Sequence, residues 1–221
     1  MAGFDTGYKE RSLTFESDKI KYSKDGKDFN VMMDWETPIM KRSAEWVTNG
    51  GKAESVLEIG YGMGIAASFI QAFQPDQHTI MEIHPNIVER AEEYANQRNK
   101  YYSSSKGTAH KRVTIIGGKD WYDEFGKSFE KSGLQEFDAI FIDTYQDTKL
   151  HEFKNYITKM LKRGGRMTWW NPMEDFTPDE TTKNRRGVSY ELIRLSDHKI
   201  KIPQNAYHNT DEYYMPMYIR Q

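Results

Sequence analysis

At 221 residues, with 31 basic against 33 acidic side chains and a net charge of −2, the chain has the length of one domain, or of one domain with an appendage. That balance argues against a bulk nucleic-acid binder, which carries a basic excess to neutralise phosphates. The absence of cysteine excludes disulfides, thiolate metal sites and a catalytic thiol, and a mean hydropathy of −0.84 without any 18-residue apolar run excludes a membrane span.

Met1–Tyr22 is charged throughout and has no apolar h-region, so no secretory signal is expected and the location is read as cytoplasmic. Residues 1–30 are polar, with a turn at Lys24-Asp25-Gly26-Lys27 and weak alternation around Lys19–Ser23. Glu36–Thr48 reads as a helix with Pro38 tolerated in its first turn. Ser55–Ile59 is a short apolar run entering a glycine cluster, and Ile65–Phe73 follows with helical spacing. His78–Ile83 is a second short run. Pro85–Asn99 opens with Pro and carries a stripe at helix period. Arg112–Ile116 and Phe137–Ile142 read as the third and fourth strands. Leu150–Leu161 is amphipathic, and Arg163-Gly164-Gly165 is read as its stop; Arg166–Trp170 is a fifth strand. Asn171–Arg186 is polar and is expected to be a mobile loop, its Lys183-Asn184-Arg185-Arg186 stretch a solvated one. Val188–Leu195 looks helical, and Tyr213–Ile219 is a last, aromatic strand. Short buried strands alternating with helices predict an α/β fold, a mostly parallel sheet built from βαβ units with helices on both faces.

Gly60-Tyr61-Gly62-Met63-Gly64 lies at the first strand-to-helix junction, where glycine lets the backbone turn tightly and approach a ligand. A dinucleotide fingerprint would want Gly or Ala at position 65, which is Ile. Glu82 ends the next strand, 22 residues after Gly60, where an acid can accept both hydroxyls of a ribose. Glu58 is a second acid in the motif and can reach a ligand through loop backbone or water.

These residues resemble the class I S-adenosylmethionine-dependent methyltransferases: Val56–Gly64 is similar to their first motif and Met81-Glu82-Ile83 to their ribose-binding acid. The resemblance implies S-adenosyl-L-methionine as cofactor and a seven-stranded Rossmann-like sheet. It also implies adenine contacts from Gly118-Lys119-Asp120-Trp121 and an active-site residue in Phe141-Ile142-Asp143-Thr144-Tyr145. A narrower resemblance covers nearly the whole chain. Val31–Met40, with Trp35-Glu36-Thr37-Pro38 inside it, is similar to a segment shared by guanidinoacetate N-methyltransferase and the fungal arginine δ-N-methyltransferases. Leu161-Lys162-Arg163-Gly164-Gly165, Asn171 and Tyr213-Tyr214-Met215-Pro216 fit the same two groups. The fungal enzymes' N-terminal repeat region is not found here, which favours a small-molecule acceptor over a protein.

The chemistry agrees with that resemblance. A guanidinium is planar, pairs bidentately with carboxylates, and has a pKa of about 12.5–13.8, so its nitrogen is a poor nucleophile until held and deprotonated. Glu36 and Asp143 are the expected catalytic pair, each accepting two parallel N–H bonds. Met40, Glu58, Gly60, Gly62, Met63, Gly64, Glu82, Ile83, Gly118–Trp121 and Asp143 are expected at the cofactor. Trp35, Glu36, Asp143, Thr144, Tyr145, Trp170, Asn171, Tyr213 and Tyr214 are expected at the acceptor. Aromatic faces at Trp169-Trp170 can hold a cation, with core packing an equal reading for one of them. Asp143 and Asn171 offer too few oxygens for octahedral magnesium, and no His pairing suggests zinc, so no metal is expected. Residues 1–50 are expected to form an N-terminal lid and helix, and 51–221 the cofactor-binding domain.

The expected reaction is methyl transfer to the guanidino group of a small molecule, arginine or a related guanidino amino acid. Another acceptor, cleavage of the cofactor's aminobutyrate arm and a non-catalytic scaffold stay open as rivals. Neither nucleic acid nor membrane is an expected partner; a homodimer stays open, since sequence does not set oligomeric state.

Overall fold

The computed structural model describes residues 7–120, 135–145, 158–171, 187–204 and 206–221. Asp25 and Gly26, both at positive φ, close a two-residue turn between β2 (Lys19–Lys24) and β3 (Lys27–Met33), as Asp-Gly favours in hairpins. With β1 (Thr14–Phe15) these strands make a small antiparallel sheet. The weak alternation in the sequence is β2 itself, with Ile20 and Tyr22 buried. A 3-10 turn, Asp34–Glu36, leads into α1 (Thr37–Val47), whose first turn takes Pro38 and whose buried stripe is Ile39, Met40, Ser43, Ala44 and Val47.

The second sheet is built from β4 (Ser55–Ile59), β5 (Gln77–Glu82), β6 (Arg112–Gly117), β7 (Phe137–Ile142), β8 (Leu161–Trp169), β9 (Val188–Arg194) and β10 (Glu212–Ile219). Its seven strands run in the order β6-β5-β4-β7-β8-β10-β9. The pairs from β6 to β8 are parallel, whereas β10 is antiparallel to both of its neighbours. The connections carry α2 (Ile65–Ala72) and α3 (Pro85–Ser104). The expected α/β, mostly parallel seven-stranded sheet is therefore present.

Every residue of β4 is buried, as in a strand covered on both faces. Val56, Ala139 and Phe141 face the cluster that holds α1's stripe, Ala66 and Ile70. Leu57, Ile59, Ile140 and Ile142 face the other side with Met167 and Trp169. Each large apolar side chain so buried contributes roughly 1.5–3 kcal/mol.

Two expected boundaries change. Val188–Leu195 is not a helix: β9 pairs residue by residue with β10, from Val188 opposite Tyr218 to Arg194 opposite Glu212. An eight-residue run has too little periodicity to decide the matter, and pairing with an aromatic strand decides it instead. Nor do Gly164 and Gly165 terminate a helix. They lie within β8, in the irregularity where the register passes from Phe137–Leu161 to Ala139–Arg166, a bulge that glycine at φ +75° accommodates. Of the helix expected over 150–161, residues 150–157 lie outside the described residues, and Thr158–Met160 form a 3-10 turn. The expected loop at 172–186, with its basic stretch, also lies outside them.

Candidate active site

After β4 the chain steps in one direction through β5 and β6, then returns to β4's other side as β7. The crevice at the carboxyl ends of β4 and β7 is thus a topological switch point, where open α/β sheets bind ligands. Single hydrogen bonds carry the ladder one residue past the strands and level the expected site residues. Gly60 donates to Met81 O (2.8 Å), Gly118 to Glu82 O (2.9 Å), Asp143 to Ile59 O (2.8 Å) and Trp170 to Ile142 O (2.8 Å). Gly60 has φ +90°, and a Cβ there would lie 1.8 Å from the Asp143 carbonyl oxygen. Only glycine lets β4 turn this close to β7.

Glu82, 5 % exposed, accepts the Tyr61 N–H on Oε2 (2.9 Å) and the His84 N–H on Oε1 (2.8 Å). Each oxygen keeps a lone-pair direction, so the fixed carboxylate can still accept two hydroxyls side by side. His84 was not singled out from sequence, because His is an uncommon N-cap. It caps α3 by accepting the Asn86 N–H on Nδ1 (3.2 Å), so Nε2 carries the proton and donates to Arg11 O (2.9 Å). Lys9 Nζ donates to Gly118 O (2.8 Å), and the Tyr8 ring packs on His84 and Tyr145 with centroids 5.1 Å apart in each pair. Tyr22 and Tyr145 join hydroxyls at 3.3 Å. The segment from Tyr8 to Arg11 therefore lies over the strand ends.

The other expected cofactor residues separate into two sets. Gly62, Met63 and Gly64 complete the loop, where the Met63 N–H donates to the sulfur of Met32 (3.1 Å); Ile83 is half-buried just past β5. Lys119 is exposed and Asp120 half-buried after Gly118, while Trp121 lies outside the described residues. Glu58 is fully buried, its Oε2 2.8 Å from His78 Nε2, and His78 Nδ1 is 3.1 Å from Gln71 Nε2. Met40 is a core side chain of α1.

Across the crevice, Glu36 is 1 % exposed. It stands at the end of the 3-10 turn, where its Oε1 reaches back to accept the Met33 N–H (2.9 Å). The Tyr207 hydroxyl donates to that same oxygen. Around it, Trp170 stacks on Tyr213 (4.9 Å) and meets Trp35 edge-on (6.3 Å). His208 stacks on Trp35 (5.8 Å). Tyr207 and His208 carried no signal in the sequence, since their loop has neither motif nor periodicity. Tyr213 also accepts the Asn171 N–H (2.8 Å), and Asn171 Nδ2 donates to Tyr214 O (3.0 Å). Tyr213 and Tyr214 are separated by strand alternation: Tyr214 turns its hydroxyl to Glu212 (3.1 Å). Trp169 and Trp170 divide likewise, Trp169 into the opposite core and Trp170 into this aromatic wall. Thr144 and Tyr145 are half-buried beside Asp143. Among the described residues, no three His, Asp or Glu side chains form a group able to hold a metal.

The carboxylates act on one another. Burial first, then the charge of Asp143, pushes Glu36 well above the usual carboxylate range, and the Tyr207 and Met33 hydrogen bonds oppose that. Burial, then the charges of Glu58 and Glu82, pushes Asp143 up to about 7. Burial likewise raises Glu58, which His78 opposes. Such a crevice favours a bound cation and holds, in Asp143, a carboxyl group able to exchange a proton near neutral pH.

A family model described as guanidinoacetate N-methyltransferase matches residues 5–177. The chain is 29% identical over 227 residues to protein arginine N-methyltransferase 2 of Candida glabrata, covering 92% of this chain and 52% of that protein. It is 31% identical over 173 residues to the Saccharomyces cerevisiae protein of the same name, covering 74% of this chain and 37% of that protein. The chain thus spans about half of these relatives' length, or less. Among solved structures it is similar to the O-methyltransferase TomG from Streptomyces achromogenes in complex with SAM, with TM-score 0.55 and 16% identity over 83% of this chain and 80% of that one. It is also similar to the N-methyltransferase NodS from Bradyrhizobium japonicum in complex with S-adenosyl-L-homocysteine, with TM-score 0.52 and 15% identity over 84% of this chain and 87% of that one. At such identities the likeness establishes the fold.

Proposed function

The chain belongs to the guanidinoacetate N-methyltransferase family, and on that premise we propose that it transfers a methyl group from S-adenosyl-L-methionine to a guanidino nitrogen of a small molecule, arginine or a related guanidino amino acid. The observation that carries this reading is the pair of interacting carboxylates, Glu36 and Asp143, on the two sides of one crevice. The cofactor assignment is supported by the glycine loop, which leaves its backbone open to approach, and by Glu82, whose fixed oxygens each retain an acceptor direction.

When bound, S-adenosyl-L-methionine supplies an electrophilic methyl carbon whose transfer leaves a neutral thioether. Glu82 and the Gly60–Gly64 loop hold the ribose and methionine ends. Glu36 and Asp143 accept N–H bonds from the guanidinium and fix its plane, and the entering cation draws both of their pKa values down. Asp143, ionised against the bound cation, takes the proton that the nitrogen sheds as it gains the methyl group. Trp35, Trp170 and Tyr213 exclude water and set the acceptor's approach, and alignment alone supplies much of the barrier reduction. The enclosure of Glu36 supports a small acceptor. The names of the relatives favour protein arginine, so an arginine-containing peptide belongs in the assay. We assign residues 1–50 to a lid and helix closing over the cofactor domain of residues 51–221.

Mass spectrometry after incubation with the cofactor and a panel of free arginine, guanidino acids and an arginine peptide tests the reading. A methylated free guanidino compound and an equal amount of S-adenosylhomocysteine are expected. Glu36→Gln and Asp143→Asn should each lower kcat/KM at least about 100-fold. Glu36→Gln should leave S-adenosylhomocysteine affinity nearly unchanged. Release of methylthioadenosine, or near wild-type rates for both variants, overturns the assignment.

A further inference from the structure

We propose that Tyr207 is a positioning residue for Glu36, saturating one carboxylate oxygen so that the other alone faces the guanidino acceptor. The inference rests on the acceptor reading above and departs from the bidentate clamp that sequence suggests for each acid. A carboxylate oxygen has two lone-pair directions. Glu36 Oε1 uses one on the Met33 N–H (2.9 Å) and the other on the Tyr207 hydroxyl. Among the described residues none donates to Oε2. Glu36 can thus take one N–H of a guanidinium fork at Oε2, and the remaining donors fall to Asp143 across the crevice. One side of the acceptor is held at a single point and the other by a full carboxylate, which is an orientation rule for the planar group.

Tyr207 is itself held. Its ring lies 6.1 Å from Trp35 and 5.9 Å from Trp170, edge-on to the latter. Its loop is pinned where the Ala206 N–H donates to Pro203 O (3.0 Å) and where His208 Nε2 meets Thr210 Oγ1 (3.1 Å). Burial and the neighbouring Glu36 hold the phenol well above its ordinary pKa, so it remains a donor through the working range. Its hydrogen bond favours the ionised form of Glu36, against burial and the charge of Asp143. The other titratable groups acting on or felt by this carboxylate are Asp143 past β7 and Tyr213 on β10.

Tyr207→Phe keeps the ring and removes the donor. The kcat/KM for the free guanidino substrate should fall about tenfold on the plateau of its pH profile, because Glu36 is no longer held, and the acid limb should also move toward higher pH by about one unit. S-adenosylhomocysteine affinity should be unchanged by calorimetry, showing an intact fold. Wild-type kcat/KM on the plateau, or an acid limb that does not shift, refutes the positioning role. If wild type methylates no guanidino compound, the acceptor reading fails separately. The infrared carboxyl band that disappears in Glu36→Gln then still decides the matter: it must titrate at higher pH in Tyr207→Phe than in wild type, and coincident titrations overturn the proposal.

Discussion

The two sides of the crevice are built by different means. On the side of β4, β5 and β6, the key groups are held by backbone: Gly60, Gly118 and Asp143 extend the ladder, and Glu82 is locked by the N–H groups of Tyr61 and His84. All but Asp143 lie within the continuous stretch β4-α2-β5-α3-β6 or directly after it. The other side is made of side chains from remote segments, with Trp35 and Glu36 before the sheet, Trp170 after β8, and Tyr207, His208 and Tyr213 near the end of the chain. A backbone-built site tolerates little local change and is set by strand geometry. A side-chain-built site can be retuned one residue at a time, and specificity belongs there.

The largest effect should come from breaking the backbone side. Gly60→Ala places a Cβ 1.8 Å from the Asp143 carbonyl oxygen, so the ends of β4 and β7 must part. We expect a loss of about 4 kcal/mol or more, a Tm lower by roughly 10 °C, and no measurable S-adenosylhomocysteine binding. Gly118 is the control. It also has positive φ, +72°, but nothing lies within 4 Å of its would-be Cβ, so Gly118→Ala should cost only the left-handed backbone penalty, about 1–2 kcal/mol. Calorimetry and thermal melts on both variants check this; equal losses would show that conformation, rather than the close approach of the two strands, makes Gly60 necessary.

Asp143 belongs to both sides, and its charge state sharpens the comparison. Its folded pKa, about 7, lies above the unfolded value of about 3.9. The folded state therefore binds more protons between these values, and stability falls as pH rises through that window. Below pH 4 the neutral carboxyl carries no penalty; above pH 7 the full penalty applies. Asp143→Asn should accordingly melt like wild type at pH 4 and be more stable at pH 8 by up to about 4 kcal/mol, while methyl transfer is lost. On the proposed reading, that is the usual conflict between a charge buried for catalysis and stability. A melting difference that is flat with pH would contradict it.

This division also explains what the sequence made legible. Apolar runs ending in Gly60, Glu82 and Asp143 announced the parallel sheet, because strand, loop and acid follow one another within a few residues. Glu36 and Trp35 could be picked out only because their segment resembles a family motif. Tyr207 and His208 could not be found at all, since their roles depend on a return from β9 toward β10 that β9, read as a helix, concealed. Glu58 shows the opposite case. Its place in the glycine motif suggested a ligand contact, but alternation along β4 turns it to His78, beneath α2 and α3.

The smallest effect tests whether the aromatic wall has one tyrosine or two. In the sequence Tyr213 and Tyr214 are equivalent; on β10 they face opposite ways. Tyr213→Phe leaves the buried Asn171 N–H without its acceptor, a cost of about 1–3 kcal/mol, and disturbs the ring stacked on Trp170, so acceptor kcat/KM should fall with it. Tyr214→Phe removes only a partly exposed bond to Glu212 and should stay within about 0.5 kcal/mol, with acceptor kinetics unchanged. Steady-state kinetics and melts of the two single variants separate these outcomes. A loss of acceptor turnover in Tyr214→Phe equal to that in Tyr213→Phe would mean that both faces of β10 reach the acceptor, and the division of the crevice drawn here would have to be moved outward by one strand.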